Sequence, residues 1–145
     1  MKKVVHKQLG ELLVEGHVIT PENLEEALTL QKKKGGLIGQ ILVGLGYASE
    51  QAIAQALTVQ YGFPYLPLSD YEMDHEITRL IPEDVALRLG LVAVDRIGSI
   101  LTVATSNPLD TESIREVEKT THLDVQVFVS TQTDIAEAIK RGYKT

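Results

Sequence analysis

One stretch of this chain is written twice. Leu9-Gly-Glu-Leu-Leu-Val returns 29 residues later as Ile38-Gly-Gln-Ile-Leu-Val, and Leu24-Glu-Glu-Ala-Leu-Thr-Leu-Gln31 returns as Ile53-Ala-Gln-Ala-Leu-Thr-Val-Gln60. Gly10/Gly39, Leu13/Leu42, Val14/Val43, Ala27/Ala56, Leu28/Leu57 and Gln31/Gln60 are identical pairs, and most other positions exchange one aliphatic for another. A repeat of this length marks stacked supersecondary units, neither of which can bury its apolar face alone.

Each copy predicts a short helix, a tight turn and a longer helix. Thr20 followed by Pro21 is an N-cap with proline at the first helical position, and Ser49 holds the same place in the second copy. Leu24, Ala27, Leu28 and Gln31 fall at i, i+3, i+4 and i+7, one helical face, and Ile53, Ala56, Leu57 and Gln60 repeat it. Two helical pairs then form a four-helix array. Lys32, Lys33 and Lys34 close the second helix, where cations complement its dipole.

Two pairs of residues carry alternative readings. Gln31 and Gln60 continue the apolar stripe into expected burial, where an amide needs partners. Each either satisfies free backbone groups at a neighbouring helix end or contacts a ligand through a repeated unit. Gly10 and Gly39, near the starts of the short helices, either let two helices pack closely or let a ligand approach the backbone. Tandem sites suit a ligand with internal two-fold symmetry.

Residues 62–145 read differently. Tyr61-Gly-Phe-Pro-Tyr-Leu-Pro-Leu is a proline-punctuated extended connector, followed by a helical turn near His75 and a helix opened by Pro82 and closed at Gly90. Leu91–Ile97 and Ile100–Thr105 are strand-like runs joined by Gly98-Ser99, a hairpin signal. Asn107-Pro108 opens a helix with Asp110 at its third position, Asp124–Val129 alternates as a strand, and Thr131–Arg141 closes as a helix. The expected fold is α+β: a tandem helical-pair repeat over residues 1–61 packed on a small α/β unit over 62–145 with about three strands.

Composition removes several function classes. Of 145 residues, 43% are apolar and 23% charged, as in ordinary globular chains. The net charge of −6 and 5% aromatics argue against DNA or RNA as partner. The absence of cysteine excludes disulfides, thiolate metal sites and thiol nucleophiles. His6, His17, His75 and His122 lack ligand spacing, so no metal is expected, and there is neither a phosphate-binding G-x-x-x-x-G-K-[ST] loop nor a G-x-S-x-G elbow. Asp70, Asp74 and Glu76 read as a solvated acidic loop. No catalytic residues are proposed and the chain is expected not to be an enzyme. No signal-peptide core or membrane-length apolar run occurs, so the expected location is cytoplasmic and not membrane-inserted.

The repeated halves, the connector and the L-x-V-A-x-x-N-P-x-D segment resemble the N-terminal domain of type II secretion and type IV pilus assembly ATPases, specifically its MshEN-type module, over almost the whole chain. That family's motif is R-L-G-x-x-[aliphatic]₂-x-x-G-[aliphatic]₂-x₄-L-x₃-L-x-x-Q, used twice with five residues between. Here the copies run Gln8–Gln31 and Leu37–Gln60, separated by Lys32 to Gly36. The opening arginine is replaced by Gln8 and Leu37, and the turn glycine is kept as Gly46 but is His17 in the first copy. Lys7, beside Gln8, offers a charge without the bidentate fork of arginine.

The resemblance implies a non-catalytic regulatory module that binds cyclic di-GMP and in its family precedes an ATPase domain. The ligand-binding residues expected are Lys7, Gln8, Leu9, Gly10, Leu13, Val14 and Gln31 in the first copy, and Ile38, Gly39, Leu42, Val43 and Gln60 in the second. Asp110 joins them as an acceptor for a guanine N–H edge, its helix-start role standing beside that one. No other cofactor is expected. The alternative is a protein-docking module that contacts a secretion or pilus ATPase, or an inner-membrane assembly protein, without nucleotide.

Overall fold

The structure, a computed structural model, describes residues 8–144. The first copy folds as α1 (Leu9–Glu15) and α2 (Pro21–Lys34), the second as α3 (Ile38–Gly44) and α4 (Glu50–Gln55), the latter continued by a π turn over Ala56–Gln60. Thr20 accepts from the Asn23 N–H while the Asn23 side chain accepts from Thr20 N–H, and Ser49 accepts from Ala52 N–H. Such caps satisfy donors that the helix itself leaves free.

Both short helices end in the same way. Val18 N–H donates to Leu13 and His17 N–H to Val14; Tyr47 N–H donates to Leu42 and Gly46 N–H to Val43. This paired pattern is the Schellman motif, which needs a left-handed residue after the cap. Gly46 supplies it with φ 80°, and His17 is forced to it at φ 60°. The repeat is therefore one of backbone geometry as well as sequence. Leu9, Leu12, Leu13, Leu42, Ile53 and Leu57 fill the core between the four helices, which also takes in Leu109 and Val129.

After a 3₁₀ turn at Leu68–Asp70, the chain forms α5 (His75–Thr78), α6 (Glu83–Leu89), β1 (Leu91–Ile97), β2 (Ile100–Thr105), α7 (Thr111–Thr121), β3 (Asp124–Val129) and α8 (Gln132–Gly142). The sheet order is β1-β2-β3. β1 and β2 form the expected antiparallel hairpin, with Ile97 opposite Ile100 and Gly98 at φ 60°. β3 lies parallel to β2, with α7 making the crossover. Val92, Leu101, Val103, Val117 and Ile135 are buried in a second core between sheet and helices. This is the α+β fold that the patterning predicts. Among the described residues, no helix is long and apolar enough to cross a membrane.

Contacts at several places join the helical array to the sheet unit. Leu37 packs so closely on Gly90 that a Cβ there would lie 2.5 Å from its Cδ1. Glu50 accepts from the Thr133 N–H at 2.6 Å and from its hydroxyl at 2.7 Å, covering the start of α8. The connector runs beside β3, with Leu66 N–H donating to Val129 and Val129 N–H to Pro64.

Four local expectations need correction. Asp110 is the N-cap of α7 rather than its third residue, because Asn107 first makes its own turn by accepting from Leu109 N–H. Pro82 is the N-cap of α6 instead of its first residue. The second long helix does not repeat α2, since it widens to a π turn and leaves Gln60 exposed. The α2 stripe is also shallower than its periodicity suggests: of the whole helix only Ala27 is buried, and Leu28 keeps 42% of its surface.

Candidate nucleotide-binding cleft

The exposed flank of α2 has a structural counterpart. Leu24, Leu28 and Gln31 form one wall of a cleft of about 300 Å³. Gln8 and Gly10 at the start of α1 form a second wall, Leu37 and Ile38 at the start of α3 a third, and Asn107 with Asp110 before α7 close it. Segments far apart in sequence thus converge on one space. Its walls pair aliphatic cover with a few polar groups, the usual make-up of a small-molecule site.

Gln31, Asn107 and Asp110 are held in place by hydrogen bonds. The Gln31 amide nitrogen donates to the Gly36 carbonyl at 3.0 Å, which leaves its oxygen available as an acceptor. Asp110 accepts from Ser113 N–H at 3.2 Å and from the Ser113 hydroxyl at 2.7 Å, so its carboxylate is oriented by the helix it caps. A carboxylate has about four lone-pair sites, so capping does not exhaust it. Neither Gln8 nor Leu37 places a side-chain cap on its helix. Glu11 and Asp110 are the charged residues of the lining, and among the described residues no cation joins them.

The glycines act as packing positions. A Cβ on Gly10 would lie 2.4 Å from Leu24 Cδ1, so the bare backbone of α1 is what admits α2. A Cβ on Gly39 would lie 3.1 Å from Gln132 Nε2 and 3.5 Å from Leu9 Cδ2.

Of the residues expected from sequence, Gln8, Gly10, Gln31, Ile38 and Asp110 are brought together here. Leu9, Leu13 and Leu42 are buried in the four-helix core, away from the open space. Val14 lines an adjoining groove, and Val43 is half-buried against the core. Gln60 lies over Gly16, where a Cβ would come within 2.6 Å of its Oε1, and so on another face from Gln31. Lys7 lies outside the described residues. Leu24, Leu28, Leu37, Glu11 and Asn107 line the cleft without having been singled out as ligand residues. Leu24 and Leu28 read as core from their spacing, and only three-dimensional placement separates the two roles. Among the described residues, no three His, Asp or Glu side chains are grouped to hold a metal ion.

Comparison with known proteins settles the family. The MshEN domain matches residues 61–145, more than half of the chain. The chain belongs to the MshEN domain family. It is 34% identical over 136 residues to the type IV pilus assembly ATPase PilB of Myxococcus xanthus, and 33% identical over 139 residues to PilB of Thermus thermophilus. Each match takes in 94% of this chain but only 24% and 16% of the relatives, so the chain spans about a quarter or less of their length. The structure of MshE with cdg superposes with a TM-score of 0.67 at 30% identity, covering 94% of this chain and 99% of that one. The N-terminal domain of XpsE superposes at 0.75 with 21% identity, covering 99% and 100%, a likeness of fold. Within this MshEN chain, Asn107 and Asp110 come from the span the family matches, and the other walls of the cleft come from the repeat before it.

Proposed function

We propose that this chain is a non-catalytic regulatory module that binds cyclic di-GMP in the cleft between α1, α2, α3 and the Asn107–Asp110 turn. The observation that carries this reading is the convergence of Gln8, Gly10, Gln31, Ile38 and Asp110 on one space. The likeness to MshE, whose structure holds cdg, supports the same ligand. In this reading Asp110 accepts from the N–H edge of a guanine and the free oxygen of Gln31 accepts from a second donor. Leu24, Leu28 and Ile38 cover the apolar face of the base. Burying that face repays about 25 cal/mol per Å², enough for a half-exposed leucine to matter. The module sits in the cytoplasm and reports the ligand to a pilus or secretion ATPase, the class of its longer relatives.

The test compares two glutamines. Gln31→Ala is expected to weaken cyclic di-GMP binding about tenfold, the loss of one charge-free acceptor plus its held loop, and Gln60→Ala to leave binding unchanged. Equal loss in both variants, or none in either, would count against a site in this cleft.

A further inference from the structure

We infer that Ser113 is a positioning residue of the cleft: its hydroxyl fixes the plane of the Asp110 carboxylate and thereby sets the selectivity for guanine. The inference rests on the cyclic di-GMP reading and deepens it, from which residue accepts to what aims the acceptor. The backbone of the Asn107–Asp110 turn is held without Ser113. Thr105 Oγ1 accepts from the Asn107 N–H at 3.1 Å, Asn107 Oδ1 accepts from the Leu109 N–H at 3.1 Å, and the Thr111 N–H donates to the Leu109 carbonyl at 3.0 Å. Pro108 and Leu109 are buried beneath the turn. What these bonds leave free is the Asp110 side chain.

Ser113 holds that side chain at two points. Its N–H donates to Oδ1 at 3.2 Å, which alone is a pivot about which the carboxylate can turn. Its hydroxyl donates to Oδ2 at 2.7 Å, and the second point stops the rotation. Each oxygen then spends one lone pair on Ser113 and keeps another, so two fixed acceptors lie side by side. The N1–H and 2-amino N–H of guanine are two donors side by side, the complement of that pair. Ser113 itself stays out of the ligand's reach. It is only 8% exposed and lines, with Leu9, Leu37 and Gly39, an enclosed space of about 10 Å³, room for a single water at most. Asp110 borders both this space and the cleft, whereas Ser113 borders the enclosed one, so Ser113 acts on the ligand through Asp110. A binding group supported in this way from behind is already aligned when the ligand arrives.

The experiment titrates the chain and its Ser113→Ala variant with cyclic di-GMP and with cyclic di-IMP, whose bases keep N1–H and lack the 2-amino group. The unsubstituted chain should prefer cyclic di-GMP about tenfold or more, the usual result when a site built for a donor meets a ligand without it. Ser113→Ala should weaken cyclic di-GMP binding about three- to tenfold and bring the ratio of the two affinities towards one. Its backbone N–H still caps α7, so its unfolding midpoint should stay within a few degrees of the unsubstituted chain. Thr131→Ala is the control: it removes the hydroxyl that caps α8, away from the cleft lining, and should lower the midpoint by a few degrees without moving either affinity. An unchanged ratio in Ser113→Ala, whatever its midpoint, would overturn the inference and leave Ser113 as a helix cap, as would an equal change of ratio in Thr131→Ala or equal affinity of the unsubstituted chain for both ligands. In each of those cases cyclic di-GMP still binds, so the failure falls on Ser113 alone; absence of binding by the unsubstituted chain would remove the parent reading with it.

Discussion

The side-chain amide of Gln31 ties the end of α2 to the loop that starts α3, donating to the Gly36 carbonyl at 3.0 Å. One residue thus spans the joint between the two repeat copies and also lines the cleft. Gln31→Glu keeps the shape and turns the donor into an acceptor facing a carbonyl. It is expected to cost about 1 kcal/mol of stability, read by chemical denaturation. An unchanged midpoint would show that the bond contributes nothing to holding the loop.

His17 and Gly46 occupy equivalent places in the two Schellman turns, both left-handed. A non-glycine residue in this region carries a penalty of roughly 1–2 kcal/mol, partly offset by the entropy that glycine loses on folding. His17→Gly should therefore raise stability by about 0.5–1 kcal/mol, a few degrees in Tm for a chain of this size. Gly46→His should lower it by a similar amount. Thermal unfolding of both variants checks the pair, and the same sign in both would contradict the strain argument.

Gly10 and Gly44 are both helical glycines in very different surroundings. A Cβ on Gly10 would strike Leu24 at 2.4 Å, whereas one on Gly44 would meet nothing within 4 Å. Gly10→Ala is expected to cost about 1–3 kcal/mol and to push Leu24 into the cleft, weakening ligand binding. Gly44→Ala should stabilise by up to about 1 kcal/mol, the gain in helix propensity, without touching affinity. Paired denaturation and binding measurements separate the two positions.

Much of this fold was legible in the sequence. The repeat, the Thr20 and Ser49 caps, the Gly98 hairpin and the β3 strand follow from local chemistry, which tertiary contacts did not override. The depth of the α2 stripe was not legible. Spacing reports which residues share a face but says nothing of whether a neighbour covers it, so Leu28 read as core and stands at a cleft. The exposure of Gln60 was not legible either, because nothing local signals that α4 widens into a π turn. For Asp110 both readings have a basis: it caps α7 through Ser113 and also closes the cleft.

Tyr143 anchors the end of the chain to the α5–α6 region, its hydroxyl donating to the carbonyls of Ile81 at 2.6 Å and Thr78 at 3.1 Å. Burial, with the nearby Glu83 and Asp84 carboxylates, pushes its pKa up from 10.0 to about 12. The folded state thus favours the neutral phenol. That contribution is complete below pH 10 and is lost as pH rises towards 12. Stability should fall across this window, and the fall should be shallower in Tyr143→Phe, which itself costs about 1 kcal/mol at neutral pH. Denaturation curves at several pH values provide the check, and parallel profiles would contradict it.

Gln8 and Leu37 stand where the family motif has arginine, and we propose that the cleft binds cyclic di-GMP without those charges. Calorimetric titration of the purified chain with cyclic di-GMP, beside GTP and cyclic di-AMP, tests it most directly. Saturable binding of cyclic di-GMP in the micromolar range or tighter, with neither control competing, is the predicted result, on the order of −8 kcal/mol or more favourable. No heat and no thermal stabilisation at high ligand concentration would contradict it and leave protein docking as the function of this module.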